Sequence, residues 1–496
     1  MRTKDIINPK KLLILALVFA VGFSSCKKFL DINQNPNNPE STTPDLLLPT
    51  VELAVGQIVG NSFQINGNFY AQYWTQNPNA PQYKIIDQYG QKGTNFDVSW
   101  RGIYRSILGN AQLIINNKTP NTEQTKGMAY ILKAYGFQLA TDGFGDVPLS
   151  QALQGVEFRS PKYEAQSLVY DSIFNYIDKG LALLKTTTSN NPGNQDVIFQ
   201  GDLDKWAAFG NTLKLRAYLR ISYKDQARAK AGIMAIYAGN PTFLNQDASI
   251  QYSSVGGNEN PLYNEMVALN KTPNLVASSS AVDAFKASND QRQFKYYDSL
   301  KNNSHIITSI PQGSYLANLN KTVSQPSVTV GANPNNPASA VVPVKLMSLS
   351  ESKFLQAEAA ARSLGGTGDV TTLFKAGIEA SFVAVGLQVS DAVSYYNQAT
   401  IPYGLTALTA AATPEAKTQI IITQKYFAMC GFQGFEAWTE YRRTGYPNFL
   451  VPSKASLLGG TLMPQRFVYA DSEATTNQNY PGTVAVTVPV WWQTTK

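Results

Sequence analysis

The chain has 496 residues, of which 15% are charged, and its formal net charge is +7 at pH 7. This mild positive excess gives no case for a nucleic-acid partner, which would call for Lys and Arg clustered on one face. The two cysteines are Cys26 and Cys430, so an exported chain that starts at Cys26 keeps one cysteine for its folded body and cannot close a disulfide within it. Its stability must therefore come from a hydrophobic core, which a chain of this length can bury.

The N-terminus has the layout of a bacterial lipoprotein signal peptide. A basic start is followed by an apolar stretch over residues 12–23, and two serines then precede Cys26. The apolar stretch is shorter than the roughly 20 residues that a membrane-spanning helix needs. We predict a signal peptide over residues 1–25 and acylation of Cys26. An ordinary cleaved signal with an incidental cysteine and an uncleaved anchor are the alternatives.

The segment after Cys26 is predicted to be a flexible tether over residues 26–43. Its sequence INQNPNNPE has little to bury, and its prolines favour extended backbone. No apolar run long enough to cross a membrane is apparent after Cys26, so we expect residues 44–496 to form a single water-soluble domain. That domain would hang from a membrane by its lipid.

Helical periodicity and end signals predict a mostly α-helical body. The stretch DLDKWAAFGNTLKLRAYLRIS begins with Asp202 as an N-cap, and SLSESKFLQAEAAARSLGG ends at Gly365 and Gly366. A second helix then begins at Asp369, which predicts a tight hairpin of two helices. Further helices are expected over residues 44–60, 96–117, 121–141, 164–185, 225–238, 279–288, 415–430 and 433–444.

The remaining segments are long tracts rich in Gly, Asn, Pro and Ser. They cover residues 186–201, 251–278, 299–345 and 446–496. Loops of this length inside a globular protein are more often functional than idle. Within them, SVTVG and TVAVTVPV are the candidates for short strands.

The sequence lacks the residue sets that common enzymes use. His305 is the only histidine, and it stands in a polar stretch, which predicts an exposed side chain without a catalytic role. Cys430 is predicted to be a small buried residue rather than a reactive thiol. No metal-binding or phosphate-binding motif stands in a suitable context, so we predict no catalytic residue, no metal and no cofactor.

A glycoside hydrolase that depends on two carboxylates is the alternative function, because this chemistry needs no histidine. Its acids would come from four glutamates on predicted helices. Glu436 and Glu440 lie on one helix face, where Arg442 or Arg443 can pair with them, so a structural ion-pair network is the competing interpretation. The four glutamates are Glu351, Glu358, Glu436 and Glu440.

A segment over residues 68–83, NFYAQYWTQNPNAPQY, interleaves aromatic rings with amides. Aromatic faces stack on neutral ligands such as sugars, and amides form hydrogen bonds with them. We predict a ligand-binding surface here, although Trp74 and Tyr70, four residues apart, fit a core stripe equally well. The predicted ligand contacts are Tyr73, Trp74, Asn77, Tyr83 and Tyr315.

Six blocks of this sequence, in order, resemble the SusD/RagB-like nutrient-binding outer-membrane lipoproteins of Bacteroidetes. The resemblance runs essentially from end to end. The blocks are CKKFLDINQNPN, DGFGDVPLSQAL, LDKWAAFGNTLKLRAYLRIS, FLQAEAAARSLGG with AGIEASF, GFEAWTEYRRTGYP and MPQRFVYADSEATTNQNY.

The resemblance implies a SusD-like fold with four TPR-like helix pairs as a scaffold and a ligand face made of irregular loops. It implies a glycan or oligopeptide ligand that is bound without chemistry, and a SusC-like TonB-dependent transporter as the partner in the outer membrane. A purely structural lid without a ligand of its own is a further alternative. The matched motif residues Trp206, Arg216, Trp438 and Arg442 are expected to be architectural, and the family's ligand contacts cannot be transferred.

Overall fold

The computed structural model describes residues 43–187, 189–300 and 305–493. The predicted signal peptide over 1–25, the lipidation site Cys26 and all but the last residue of the tether over 26–43 lie outside these residues. Contacts join Pro44–Lys496 into one compact unit. Within this unit the described residues are mostly helical, with a few short strands.

The helices and strands have the following bounds. The α-helices are α1 Pro44–Val59, α2 Ser62–Tyr70, α3 Lys84–Asp87, α4 Asp97–Arg101, α5 Asn110–Asn116, α6 Glu123–Phe144, α7 Gln166–Leu184, α8 Leu203–Ile221, α9 Gln226–Ala238, α10 Pro261–Ala268, α11 Ser279–Ala287, α12 Gln293–Tyr296, α13 Leu349–Ala361, α14 Val370–Val383, α15 Val389–Tyr396, α16 Leu405–Ala410, α17 Pro414–Met429, α18 Gly434–Thr444 and α19 Asp471–Thr476. A π-helix, Gly102–Gly109, joins α4 to α5. The 3₁₀ segments are Gly93–Asn95, Gly155–Phe158, Gly193–Gln195, Tyr315–Asn318, Val328–Val330 and Pro337–Val341. The strands are β1 Trp74–Gln76, β2 Val147–Pro148, β3 Tyr163–Glu164, β4 Ala248–Ile250, β5 Leu275–Ala277 and β6 Val344–Met347.

Four helix pairs pack in succession and form the scaffold. Helix α1 packs against the π-helix and α5, α6 against α7, α8 against α9, and α13 against α14. Neighbouring pairs are also in contact, through α1 with α6, α7 with α8, and α8 with α13. Such stacking buries a continuous core between units that cannot bury their apolar faces alone. The mostly α-helical fold with TPR-like helix pairs is therefore confirmed.

The predicted helix starts are confirmed by their hydrogen bonds. The Asp202 carboxylate accepts the backbone N–H of Lys205 at 3.1 Å, and Asp369 accepts that of Thr372 at 2.7 Å. Helix α13 ends at Ala361, before Gly365 and Gly366, and the left-handed turns fall at Ser363 (φ +53°) and Gly365 (φ +96°). The turn of the predicted hairpin is therefore longer than the sequence indicated.

Helix α2 was missed because its sequence, SFQINGNFY, is rich in residues with modest helix propensity. Tertiary packing decides its structure, since all but one of its residues are buried. A Cβ added at Gly67 would lie 2.0 Å from the backbone N of Phe435, and one at Gly434 would lie 2.4 Å from the backbone N of Asn68. Helices α2 and α18 thus approach each other closely at two glycines.

The strands form three separate two-stranded antiparallel ladders. Strand β1 pairs with β5, with Trp74 opposite Ala277, while β2 pairs with β3 and β4 with β6. Both strand predictions were wrong: SVTVG contains the 3₁₀ turn Val328–Val330, and TVAVTVPV over residues 483–490 forms no strand. Alternation of apolar residues produces a strand only where a second segment offers its backbone hydrogen-bonding groups.

One stretch in the described residues, Pro44–Tyr70, is long and apolar enough to cross a membrane by length and composition alone. The sequence had indicated no such run after Cys26. Half of the apolar window is buried inside the protein, and the stretch is divided into α1 and α2. This packing is typical of core helices in a helical scaffold.

Candidate ligand-binding cleft

An open cleft of about 500 Å³ lies along one face of helix α11. We call it the α11 cleft. A volume of this size lies within the range that small-molecule sites occupy. One wall is the helix itself, because positions three or four residues apart share a helix face. The residues of this wall are Ser279, Ser280, Asp283, Ala284 and Ala287.

A second wall of the α11 cleft is aromatic and apolar. Tyr403 and Phe449, both half-buried, line it together with Pro402 and Val451. Both rings pack on the buried ring of Phe427, with centroid distances of 6.2 Å for Tyr403 and 6.5 Å for Phe449. The aromatic wall is thus held from behind while part of each ring remains accessible.

The floor of the α11 cleft contains the side-chain amide of Gln312, which is 1% exposed. Its Nε2 donates to Asp87 Oδ1 at 2.6 Å and to the carbonyl oxygen of Trp74 at 3.1 Å. Its Oε1 has no hydrogen-bond partner among the described residues. Burial raises the pKa of Asp87 to about 6, against the opposing effect of hydrogen bonds from Gln76, Thr75 and Gln312.

Two of the predicted ligand contacts, Tyr73 and Trp74, lie in the core beneath this cleft. Both side chains are 0% exposed. The Tyr73 ring stacks on Tyr426 with a centroid distance of 4.4 Å, and its carbonyl accepts the hydroxyl of Tyr297 at 2.9 Å. Tyr426 in turn contacts Phe449 at 5.6 Å. Tyr73 therefore supports the aromatic wall from within, and neither residue presents a free face to a ligand.

The other three predicted contacts are also buried. Asn77 is 9% exposed and its side chain bonds to the backbone of Pro273, while Tyr83 is 7% exposed and packs edge-on against Phe69. Tyr315 is 2% exposed and its hydroxyl accepts Gln88 Nε2 at 3.1 Å. Direct ligand contact by these five residues stays a prediction that their burial argues against. The core interpretation, which the sequence left open for Trp74 and Tyr70, fits the structure.

The amide-rich segment nevertheless reaches the cleft through Gln72. The hydroxyl of Ser280 donates to Gln72 Oε1 at 2.6 Å, and the same oxygen accepts the backbone N–H of Val451 at 3.2 Å. Sequence reasoning missed the lining residues Asp283, Gln312, Tyr403 and Phe449. The signal for two of them was present, since Gln312 and Phe449 fall in the long tracts over 299–345 and 446–496 that were predicted to be functional.

A second cleft of about 420 Å³ is lined by Trp100, Tyr104 and Glu473. The polar atoms of its aromatic side chains are engaged within the protein, while its two arginines, Arg101 and Arg105, are exposed. Trp100 Nε1 donates to Glu473 at 3.0 Å, and the Tyr104 hydroxyl donates to the carbonyl oxygen of Pro148 at 2.8 Å. The α11 cleft is the stronger candidate because it offers a buried acceptor without a protein partner.

The four glutamates considered for a hydrolase belong to a buried ion-pair network. Their side chains are 0% (Glu351 and Glu358), 9% (Glu436) and 4% (Glu440) exposed. Burial alone would raise the pKa of Glu440, but Arg443 and Lys425 bring it below its usual value. None of the four lines the α11 cleft.

Pairing within the network differs in part from the sequence prediction. Arg443 pairs with Glu440, as expected, and donates to both carboxylate oxygens of Glu358 at 2.7 Å. Glu436 pairs with Arg220 at 2.5 Å rather than with Arg442 or Arg443. The acids are therefore structural, which confirms the ion-pair interpretation.

The motif residues expected to be architectural are buried and packed within the protein. Trp206 Nε1 donates to Asp196 at 2.6 Å, and Arg216 Nη2 donates to Gln138 Oε1 at 2.7 Å. The guanidinium carbon of Arg442 lies 3.6 Å from the ring centroid of Trp438. The expectation is confirmed for all four residues.

The remaining candidates for chemistry stand apart from the cleft. Cys430 is a free thiol with 0% exposure, as predicted, and burial raises its pKa. His305 is exposed and lies edge-on to Phe294. Across the described residues, no group of three or more His, Cys, Asp and Glu is placed to hold a metal ion.

Comparison with solved structures gives close fold matches over nearly the whole chain. A chitin-binding SusD homologue from Flavobacterium johnsoniae matches with a TM-score of 0.74 and 23% identity, over 90% of this chain and 97% of its own. A SusD homologue from Bacteroides uniformis matches with a TM-score of 0.77 and 22% identity, over 91% of this chain and 99% of its own. A SusD/RagB family protein from Bacteroides thetaiotaomicron matches with a TM-score of 0.74 and 23% identity, over 91% of this chain and 99% of its own.

Sequence comparison agrees with the fold. None of the curated proteins compared with this chain matches it significantly. The model of the SusD-like family, described as starch-binding and associating with the outer membrane, matches residues 36–470. With this match over most of its length, on a scaffold of stacked helix pairs, the chain belongs to the SusD-like family.

Proposed function

We propose that this protein is an outer-membrane lipoprotein that captures a nutrient glycan in the α11 cleft and delivers it to a SusC-like TonB-dependent transporter. The observation that carries the proposal is the cleft itself, which is lined by the half-buried rings of Tyr403 and Phe449 together with small and polar side chains of a helix. Sugars stack on such rings and form hydrogen bonds with neighbouring polar groups. The family description and the chitin-binding relative support a glycan as the ligand class.

The ligand proposal is tested by isothermal titration of the soluble domain with chito- and malto-oligosaccharides. Tyr403→Ala and Phe449→Ala should each weaken binding by about 0.5–1.5 kcal/mol beyond any loss of contact area, because each removes one stacking ring. Tyr130→Ala is the matched control, since Tyr130 is also half-buried but lies on scaffold helix α6. Binding that survives both cleft substitutions would place the glycan elsewhere.

Oligopeptides belong in the same titration series, because family resemblance implied either a glycan or a peptide. If peptides bind tightly and no glycan binds, the ligand class would be a peptide instead of a glycan, and the α11 cleft would remain the proposed site. Failure of every glycan and peptide to bind would favour a purely structural lid.

We also propose that acylated Cys26 anchors the domain through a tether over residues 26–43. Stable anchoring requires more than one acyl chain or a second membrane signal, which a triacylated cysteine would satisfy. Labelled fatty acid should be incorporated into the wild-type protein and not into Cys26→Ser, and the variant should leave the membrane fraction. Unchanged fractionation of Cys26→Ser would contradict the anchor.

The proposed transporter partner follows from the family alone and is tested by co-purification. A SusC-like barrel should be recovered from membranes with a tagged copy of this protein after mild solubilisation. Such a tether would keep the domain at the barrel at high effective concentration. Recovery of the tagged protein without any barrel protein would count against the delivery step.

The protein is proposed to bind its ligand without chemistry. The four glutamates named as hydrolase candidates are locked in ion pairs, and Asp283 is the only acid among the residues that line the α11 cleft. A glycosidase needs two carboxyl groups flanking the bond that is cleaved. Incubation with the oligosaccharides that bind should leave them intact, and any cleavage would overturn this part of the proposal.

A further inference from the structure

The α11 cleft contains two hydrogen-bond acceptors that no described residue satisfies. The first is Gln312 Oε1, on a side chain that is 1% exposed. The orientation of this amide is determined by its surroundings, because Nε2 lies between two acceptors, Asp87 Oδ1 and the carbonyl oxygen of Trp74. Rotating the amide would set oxygen against oxygen at both contacts. Oε1 is therefore the amide atom left without a donor, on a side chain that lines the cleft.

The second acceptor is the carboxylate of Asp283, which is exposed on helix α11 and has no hydrogen bond or ion pair among the described residues. The nearest basic residue along the helix, Lys286, donates to the carbonyl oxygen of Ile307 instead. Among the described residues, Asp283 is also the one charged side chain that lines the cleft. The lining thus carries a net negative charge.

The two serines of the cleft do not supply the missing donors. Ser280 donates to Gln72, and the hydroxyls of Ser279 and Ser309 lie 3.0 Å apart in a mutual hydrogen bond. A buried acceptor left without a donor is costly, so a ligand that offers N–H or O–H groups gains at Gln312. A positively charged donor gains further from the carboxylate of Asp283, whereas an anion is repelled.

We propose that the α11 cleft selects ligands that carry a protonated amino group, so that an amino sugar binds more tightly than its hydroxylated, N-acetylated or acidic counterpart. This inference rests on the proposed function, because it assumes that the cleft binds a glycan. It adds the charge and the hydrogen-bonding character of that glycan. Asp283 is the specificity-determining residue, and Gln312 contributes to the binding of every ligand that offers a hydrogen-bond donor.

The test titrates the soluble domain with three β-1,4-linked tetrasaccharides that differ at the 2-position, and with one acidic oligosaccharide. They are cellotetraose, tetra-N-acetylchitotetraose, its fully deacetylated form and tetragalacturonate, measured in mildly acidic buffer where the amines are protonated. The deacetylated form should bind roughly two- to five-fold more tightly than cellotetraose, the range of one exposed ion pair. Tetragalacturonate should be the weakest ligand.

Asp283→Asn should bring the advantage of the amine to about one while leaving cellotetraose binding nearly unchanged. High salt should have the same effect on the wild-type protein, because it screens an exposed charge pair. Asp204→Asn is the matched control: Asp204 is exposed on scaffold helix α8, and its loss should leave the ratio unchanged. Gln312→Met should weaken all three neutral and amino ligands about ten-fold, with thermal unfolding used to verify the fold.

Ala284→Trp separates this inference from the proposed function, because a large side chain at Ala284 fills the cleft. One outcome overturns the inference while the proposed function stands. In it, cellotetraose binds to the wild-type protein, Ala284→Trp prevents that binding, and the deacetylated form binds no more tightly than cellotetraose. An advantage that survives Asp283→Asn also overturns the inference. If none of the four ligands binds, or Ala284→Trp leaves binding intact, the proposed glycan cleft falls and the inference falls with it.

Discussion

At the residue scale, burial decides the role of the charged side chains. Arg443 is held between Glu358 and Glu440, and all three side chains are at most 4% exposed. Ions in such a site are costly to desolvate and are retained only when fully paired. By contrast, Arg228 pairs with Asp171 at the surface, where both side chains are about one-third exposed or more.

We predict that Arg443→Met lowers the free energy of unfolding by about 3–5 kcal/mol, because it removes one positively charged partner from each of two buried carboxylates. Arg228→Met, the matched surface control, should cost less than about 1 kcal/mol. Urea unfolding of both variants measures the difference. Equal small losses would show that the buried network contributes little to stability.

Asp87 connects the cleft floor to the pH dependence of stability. Burial raises its pKa from 3.8 to about 6, so the folded protein holds this proton more tightly than the unfolded chain does. The resulting stabilisation is complete below the unfolded-state pKa and is lost as the pH rises through the folded-state pKa. Relative to Asp87→Asn, the wild-type protein should lose roughly 3 kcal/mol of unfolding free energy between about pH 4 and pH 7. A constant difference in urea unfolding across this range would contradict the raised pKa.

Trp74 tests the assignment of the aromatic segment to the core. Because its side chain is 0% exposed, Trp74→Ala should destabilise the protein by about 3–5 kcal/mol through the cavity it leaves. Trp491→Ala should cost less, since Trp491 is only partly buried. Thermal unfolding and glycan titration together measure the outcome. A stable Trp74→Ala protein with weakened glycan binding would return Trp74 to the ligand surface.

At the element scale, the scaffold depends on close approach between paired helices. In the pair α6 and α7, a Cβ added at Gly180 would lie 2.8 Å from the carbonyl oxygen of Gly127 and 2.7 Å from Ile131 Cγ1. Backbone cannot move aside as a flexible side chain can, so the two helices would have to separate.

We predict that Gly180→Ala destabilises the protein by about 1–3 kcal/mol despite the higher helix propensity of alanine. Gly256→Ala is the control, because a Cβ there meets nothing within 4 Å, and it should change stability by less than about 1 kcal/mol. The shift of the urea midpoint measures both. A neutral Gly180→Ala would mean that the helix pair tolerates a wider spacing.

At the scale of the whole molecule, the α11 cleft is assembled from chain segments that are far apart in sequence. Helix α11, Gln312, Tyr403 and Phe449 meet only because the scaffold and the short β1–β5 ladder bring their loops together. The segment over residues 68–83 serves as the layer beneath. Its Gln72 and the backbone of Trp74 position the floor, while its rings fill the core.

The sequence alone determined the features that depend on local pattern. Helix periodicity and the N-caps Asp202 and Asp369 are properties of a few neighbouring residues. The same is true of the motif blocks that resemble the family. It is also true of the helix predicted over residues 279–288, which forms a wall of the cleft. These follow from spacing and hydrogen-bonding capacity within one or two turns of chain.

The tertiary structure alone decided which aromatic residues line the α11 cleft. The sequence does not distinguish the buried rings of Tyr73 and Trp74 from the accessible rings of Tyr403 and Phe449. Periodicity shows that rings share a face, but it does not show what covers that face. Packing against Tyr426 and Tyr297 buries Tyr73, whereas Tyr403 remains half-exposed in its place. Exposure arises from contacts between distant segments, and such contacts have no local pattern from which to predict them.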